Sequence, residues 1–263
     1  MLPLLQELPL SKVGERKAGF VTEPRGTHIG RTMMLADLRR LMASCALDAT
    51  YNDYQRAIVQ ENVLLKRTES TRRTSLRFLT ELYALDARVL LFRALRDLWK
   101  DDADAQPLLA FLCAVARDPI LRVTADLILN LDKGAVVTPE MISQTVKGKI
   151  GKTYSAKAFA TVGRNVASSW QQAGHLTGHK TKLRAQAHST PANVAYALFL
   201  GYLSEARGQA LFHTLWARLL DTPQAIMQER AVVASQRGWI DYRHAGNVID
   251  IGFGYLLRKT EAL

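Results

Sequence analysis

Apolar positions recur every three to four residues along most of this chain, the period of helices that bury one face. Residues 11–30 are the first exception: Gly14, Gly19, Pro24, Gly26 and Gly30 interrupt any regular pattern and predict irregular backbone. From Arg31, the residues Met34, Leu38, Leu41 and Cys45 form one stripe. Asn52 or Asp53 is placed to cap a second helix, which carries Ile58 and reaches about Lys66. Thr68 is placed to cap a third, with Leu76, Leu79 and Leu82 on one side and Arg73 and Arg77 on the other. Asp86 to Trp99 reads as a fourth helix, and Leu108 to Val115 as a short fifth, closed by Asp118-Pro119. This first half carries no strand pattern.

From residue 120 the punctuation changes. Ile120, Val123, Leu127 and Leu131 line one helix, closed by Asp132-Lys133-Gly134. Thr138-Pro139 opens a short helix to Lys147 whose buried side is Ile142 and Val146. Gly148 and Gly151 then loosen the chain before Ser155 starts a longer helix that closes near Gly174. His175 to Ala187 alternates loosely around Gly178 and predicts strand, turn and strand. Thr190-Pro191 opens an apolar helix to Arg207, Gln209 to Asp221 follows, and Thr222-Pro223 opens another to about Arg237. Trp239 to Tyr242 and Val248 to Phe253 flank Ala245-Gly246-Asn247 as a hairpin. The expected architecture is therefore mostly α: a helical bundle over 1–134, then a winged-helix-like part with short β-hairpins over 135–263.

Charge sharpens this picture. The net charge is +11 and the pI about 9.8, surface properties that speak of partners. Nucleic acid is the commonest partner of such a surface, ahead of anionic lipid or an acidic protein. Cys45 and Cys113 are the only cysteines, too few for a disulfide scaffold, and they read as small buried hydrophobes in a reducing, cytoplasmic compartment. Met1 to Leu10 is apolar but lacks a basic flank and carries Glu7, unlike a signal peptide. The strongest apolar runs, Pro107 to Ala116 and Val194 to Leu203, have ten residues each, half of a membrane span. No membrane contact is expected.

The charge is unevenly distributed. From Met141 to Ser204 there is no Asp or Glu, while the same stretch holds Lys147, Lys149, Lys152, Lys157, Arg164, Lys180, Lys182 and Arg184. A surface lying against a phosphate backbone gains from cations and loses from any carboxylate. Within the helix from Ala156 to Gln172, Phe159, Val162, Val166 and Trp170 form a stripe to be buried. Lys157, Thr161, Arg164, Ser168 and Gln172 form a second, polar face; Arg and Gln suit base edges, and Lys, Thr and Ser suit phosphates. Three helices (120–131, 139–147 and 156–172) followed by a basic hairpin are the plan of a winged helix-turn-helix. Gly178-His179-Lys180 is the expected wing tip, with Lys180, Lys182 and Arg184 set for backbone or minor-groove contact.

Lys66, Arg67, Arg72, Arg73 and Arg77 form a second basic cluster, interrupted by Glu69; Arg31, Arg39 and Arg40 are weaker candidates. Other chemistry finds little support. Gly148-Lys149-Ile150-Gly151-Lys152-Thr153 lacks the first glycine of a phosphate loop, a place held by Val146. His175 and His179 have metal spacing only on a helix, and Gly174 and Gly178 oppose one there. No nucleophile elbow or carboxylate cluster stands beside the basic stretch, so no catalytic residue, cofactor or metal is expected. Trp239, Tyr242, Phe253 and Tyr255 read as core of the last hairpin rather than base-stacking residues.

The run Asn62-Val63-Leu64-Leu65-Lys66-Arg67-Thr68-Glu69-Ser70-Thr71-Arg72-Arg73, with Gly238-Trp239 and Ala245-Gly246-Asn247-Val248-Ile249-Asp250-Ile251 near the end, resembles the BrxA family of bacterial BREX phage-exclusion systems. The resemblance implies a non-enzymatic, DNA-binding accessory protein of phage defence. It also implies a NusB-like helical N-terminal domain and a C-terminal part of winged-helix character. Its motif falls on Lys66, Arg67, Arg72 and Arg73 here, and it identifies no base-reading residue. Double-stranded DNA and other phage-defence subunits are the expected partners. RNA is the alternative that the NusB likeness favours, and docking of the basic face on an acidic protein is the other.

Overall fold

The computed structural model describes residues 18–23, 26–151, 154–246 and 248–258, and these are mostly helical. Among the described residues the first five α-helices are α1 (Leu35–Ser44), α2 (Tyr51–Val59), α3 (Glu69–Tyr83), α4 (Leu90–Trp99) and α5 (Gln106–Arg117). Their stripes meet in one core, where Leu38, Leu41, Ile58, Leu79, Leu82 and Leu95 are sealed from water. Each contributes roughly 1.5–3 kcal/mol by that transfer. Thr68 caps α3 as expected, accepting from Thr71 N at 3.2 Å. The cap of α2 is Thr50, not Asn52 or Asp53: Asp53 lies three positions in and accepts from Thr50 N at 2.9 Å, closing a reciprocal pair. That helix also stops well short of Lys66, with Asn62 and Leu65 in left-handed backbone beyond its end. Residues 86–89 precede α4 as a turn in which Arg88 N donates to Asp86 Oδ1 at 2.9 Å.

The single helix expected over 120–131 is two, α6 (Pro119–Arg122) and α7 (Ala125–Leu129). Thr124, between them, donates its hydroxyl to Leu121 O at 2.7 Å and accepts from Trp170 Nε1 at 2.8 Å. A hydroxyl bonded to nearby backbone offers the chain an alternative to helix, and here a buried tryptophan holds it in that role.

Then follow β1 (Val136–Val137), α8 (Pro139–Ile150), α9 (Ala156–Gln172), β2 (Leu176–Thr177) and β3 (Lys182–Arg184). The three strands form an antiparallel sheet in the order β1-β3-β2, with Val136 opposite Leu183 and Leu176 opposite Arg184. The hairpin is the expected one; β1 is an addition that no sequence pattern announced. At the turn Gly178 has φ +90°, and a Cβ there would lie 2.1 Å from Thr181 O, so only glycine fits. Helix α8 runs on to Ile150, so Gly148 and Lys149 belong to its last turn and Gly151, at φ +85°, ends it. Helix α9 keeps the expected bounds, capped by Ser155, and buries Phe159, Val162, Val166 and Trp170. It passes α8 at Gly163, where a Cβ would stand 2.1 Å from Pro139 O.

The remainder comprises α10 (Pro191–Leu203), α11 (Leu215–Arg218), α12 (Gln224–Gln236), the antiparallel pair β4 (Asp241–Ala245) and β5 (Val248–Gly252), and α13 (Gly254–Leu257). Helix α10 stops before Arg207, and a 3-10 turn over Gly208–His213 precedes α11 where one helix was expected. Thr222 does not cap α12; its hydroxyl lies 2.8 Å from that of Ser189, and Pro223 takes the cap position. Trp239 and Phe253 are core, as read from the sequence. Buried residues on both sides of the expected 134/135 boundary form one cluster, with Phe111 against Trp170 at 4.6 Å between ring centroids. Among the described residues no helix is long and apolar enough to cross a membrane.

The turn Thr27–Ile29 lies in the segment read as irregular, yet it joins three elements. His28 is fully buried. Its Nδ1 lies 2.7 Å from Asp118 Oδ2 and, since a carboxylate only accepts, carries the donated proton. His28 Nε2 lies 2.7 Å from Ser169 Oγ on α9, which also accepts from Met33 N at 2.8 Å. Asp118 Oδ1 accepts from Ile120 N at 2.9 Å and so caps α6. Asn165 Nδ2 donates to His28 O at 3.0 Å, and Thr27 Oγ1 donates to Glu81 Oε2 of α3 at 2.9 Å.

Three outcomes are expected. Gly163→Ala gains about 1 kcal/mol of helix propensity but drives a methyl into Pro139 O. Net destabilisation by about 1–3 kcal/mol should appear in urea unfolding. Asp118→Ala strands buried His28 and uncaps α6, which costs about 3–5 kcal/mol in the same measurement. Burial lowers the pKa of His175 to about 4, against about 6.5 for the unfolded chain. The unfolded state alone takes up a proton between these values, so stability is full above about pH 6.5 and falls towards pH 4, by about 3 kcal/mol in all. His175→Gln, which keeps a donor for Leu219 O, should flatten the difference in urea midpoint between pH 7 and pH 5.

Candidate nucleic-acid interface

The polar face of α9 divides into an open half and a closed half. Lys157 and Arg164 are exposed and Thr161 is half-exposed; Arg164 Nη2 donates to Thr161 Oγ1 at 3.0 Å. Ser168 and Gln172, expected on the same ligand-facing surface, are turned to the start of α1 instead. Gln172 Oε1 accepts from Leu35 N at 3.2 Å and its Nε2 donates to Ser168 Oγ at 3.3 Å. The cause is local: the cap position of α1 is held by Met34, whose side chain cannot cap, so Leu35 N at the start of that helix takes its acceptor from α9.

The hairpin is pinned to the end of the same helix. Lys182 Nζ donates to Gln171 Oε1 and, at 2.9 Å, to Gly178 O, while Gln171 Nε2 donates to Gly178 O at 2.9 Å. Lys182 is therefore occupied internally, and Lys180 is left exposed at the turn. Lys157, Arg164 and Gln171 are seven residues apart, two turns each, so the hairpin turn caps a row about 21 Å long. Lys147 and Lys149 project from the last turn of α8, next to the connection that leads into this row. None of Lys147, Lys149, Lys157, Arg164 and Lys180 has an ion-pair partner among the described residues. Lys152 lies outside the described residues.

Arg184 departs most from expectation. It is 5% exposed, its guanidinium grips Asp221 at 2.8 and 2.9 Å, and its Nε donates to Ile128 O at 2.9 Å. It locks β3 onto the segment before α12 and has no donor to offer a phosphate. The acid-free stretch concealed this because the partner lies outside it, at residue 221.

The second basic cluster is largely neutralised by its neighbours. Lys66 Nζ holds both oxygens of Asp37, at 2.8 and 3.0 Å. Arg73 pairs with Glu69 at 2.6 Å and Arg77 with Glu81 at 2.9 Å, each one turn along α3. Such exposed pairs add little stability but cancel charge. Arg77 also lies over the ring of Phe78, 4.1 Å from its centroid, with Arg31 at 5.4 Å from the same ring. Arg67 stays exposed without a partner. Arg72 is half-buried beside a cleft of about 320 Å³ that Gln55 and Gln60 also line, and its Nε has no hydrogen-bond partner.

Ser169, His28 and Asp118 have the order of hydrogen bonds that a hydrolase uses, a grouping that their spacing in the sequence hides. All three are at most 1% exposed, and the Ser169 hydroxyl already accepts from Met33 N and donates to Asn165 O at 3.0 Å. The trio fastens elements together and meets no solvent. Burial pushes the Cys113 thiol up to about 11, which leaves it protonated and inert. His175 donates inward to Leu219 O while His179 faces solvent, so their spacing brings no two ligands together.

No family model matches the chain, and no curated protein is detectably similar to it in sequence.

Proposed function

We propose that the protein is a non-enzymatic, duplex-DNA-binding accessory protein of a BREX phage-defence system. The observation that carries this reading is the unpaired row of Lys147, Lys149, Lys157, Arg164 and Lys180, in a stretch with no carboxylate of its own. Phosphates are gripped by Lys147, Lys149, Lys157 and Lys180, and the open first half of α9 carries Thr161 and Arg164 towards the groove. The order β1, α8, α9, β2, β3, with β3 between the other two strands, supports a winged-helix reading of residues 135–187. In that reading α9 is the recognition helix and residues 178–181 are the wing, and the first residues of such a helix are the ones that reach base edges. The BREX assignment and a NusB-like first half rest on the resemblance carried by the run from Asn62 to Arg73 together with Gly238-Trp239 and residues 245–251. Two free cysteines, one buried and one half-buried, suit a cytoplasmic setting.

Four phosphate contacts give a slope of log affinity against log salt of about −3.6, so affinity for a duplex should fall by about a hundred-fold between about 50 and 200 mM salt. Changing Lys147, Lys149, Lys157, Arg164 and Lys180 together to Gln should abolish both the binding and the slope in fluorescence anisotropy, with unfolding unchanged. Absence of binding by the natural protein at low salt, or an unaltered affinity in the variant, overturns the reading. Preferential competition by single-stranded RNA would redirect it to RNA, and co-purification with an acidic partner without any duplex affinity would redirect it to an adaptor.

A further inference from the structure

Leu65 is the most exposed large apolar residue among those described, at 72%. Its neighbour Leu64 is buried at 1%, so the chain turns one leucine into the core and the next into solvent. Leu65 has φ +55°, left-handed backbone that a leucine adopts only when its surroundings impose it. The surroundings here do. Asn62 Nδ2 donates to Lys66 O at 3.0 Å, Lys66 N donates to Asn62 Oδ1 at 2.8 Å, and Leu65 N donates to Asn62 O at 2.9 Å. The Lys66 ammonium is tied to Asp37 of α1. An isolated exposed leucine needs no explanation, but one fixed in an unfavourable conformation by so many bonds is held out by the fold.

Charge decides what the leucine meets. Arg67 follows two positions on, exposed and without a partner, and Arg40 stands one helical turn from Asp37, also exposed and unpaired. A rigid apolar tip on a turn that carries one free guanidinium, and that Lys66 ties to the helix bearing another, is complementary to a polyanion with apolar interior surfaces, which is a duplex opened at a base step. A protein surface would match the arginines only by setting carboxylates around an apolar pocket, whereas every base step of a duplex is flanked by phosphates. We propose that Leu65 is a wedge that enters the minor groove, unstacks one base step and bends the duplex, with Arg67 and Arg40 on the flanking phosphates. Wedges of this kind act where unstacking is cheapest, so pyrimidine–purine steps are preferred over A-tracts. The inference rests on the duplex-binding reading but uses different residues, so each can fail alone.

The test measures energy transfer between dyes at the two ends of a duplex with a central TA step, for each protein at its own saturating concentration. The full-length natural protein should raise the transfer. Leu65→Ala, which touches no core, should bring it back at least half-way to the free duplex while affinity changes by less than about ten-fold. Leu65→Met, which keeps an apolar tip, should retain the bend. Binding without bending, or equal bending by Leu65→Ala, overturns the wedge and leaves the α9 row intact. Absence of binding by the natural protein overturns both.

Discussion

One buried histidine holds the two halves of this protein in register. His28 sits between Asp118, at the junction of α5 and α6, and Ser169, in the last quarter of α9. The three groups come from positions separated by 90 and 141 residues, so no local preference could have assembled them. Because each is sealed from water, any loosening exposes a polar group to an interior that cannot satisfy it. Asp118 is doubly committed, to the histidine and to the first N–H groups of α6, so the direction of α6 is tied to the position of α9. Ser169 and Gln172 meanwhile supply acceptors to the uncapped start of α1. The outcome is that α9 enters the core along its Phe-Val-Val-Trp stripe, is bolted down over its last two turns, and stays open only over its first two.

This arrangement sorts the cations of a strongly basic chain. Arg184, Lys182 and Lys66 are spent inside the fold, and Arg73 and Arg77 are matched by glutamates one turn away. What remains unmatched includes the cations at the α8–α9 connection, along the start of α9 and at the hairpin tip, and Arg67 and Arg40 near Leu65. Net charge alone would have spread these groups evenly over the surface; the hydrogen bonds of the fold separate anchors from free groups.

The parts legible in the sequence were those set by short-range periodicity and capping. The stripe and bounds of α9, the Thr68 and Thr138 caps and both hairpins follow from neighbours within a few residues. What escaped depended on distant partners. Val136–Val137 is only two residues long and becomes a strand by pairing with Leu183 and Lys182, far along the chain. Thr124 breaks a helix because Trp170 holds its hydroxyl. Arg184 reads as a surface cation because Asp221 lies beyond the acid-free stretch. Ser168 and Gln172 looked available because nothing in α9 reveals that Met34 is unable to cap α1.

The Arg184–Asp221 bond also has a temporal side. Strand β3 can pair with β1 and β2 once residue 184 is in place, but the guanidinium has no carboxylate until 37 further residues have been joined to the chain. A nascent chain ending before Asp221 would have to bury that charge unpaired, which is prohibitively costly, so the hairpin stays loose until then. The basic tip beside it becomes fixed only after Asp221 has been added, and a product terminated before that residue therefore carries the lysines without the geometry that aligns them.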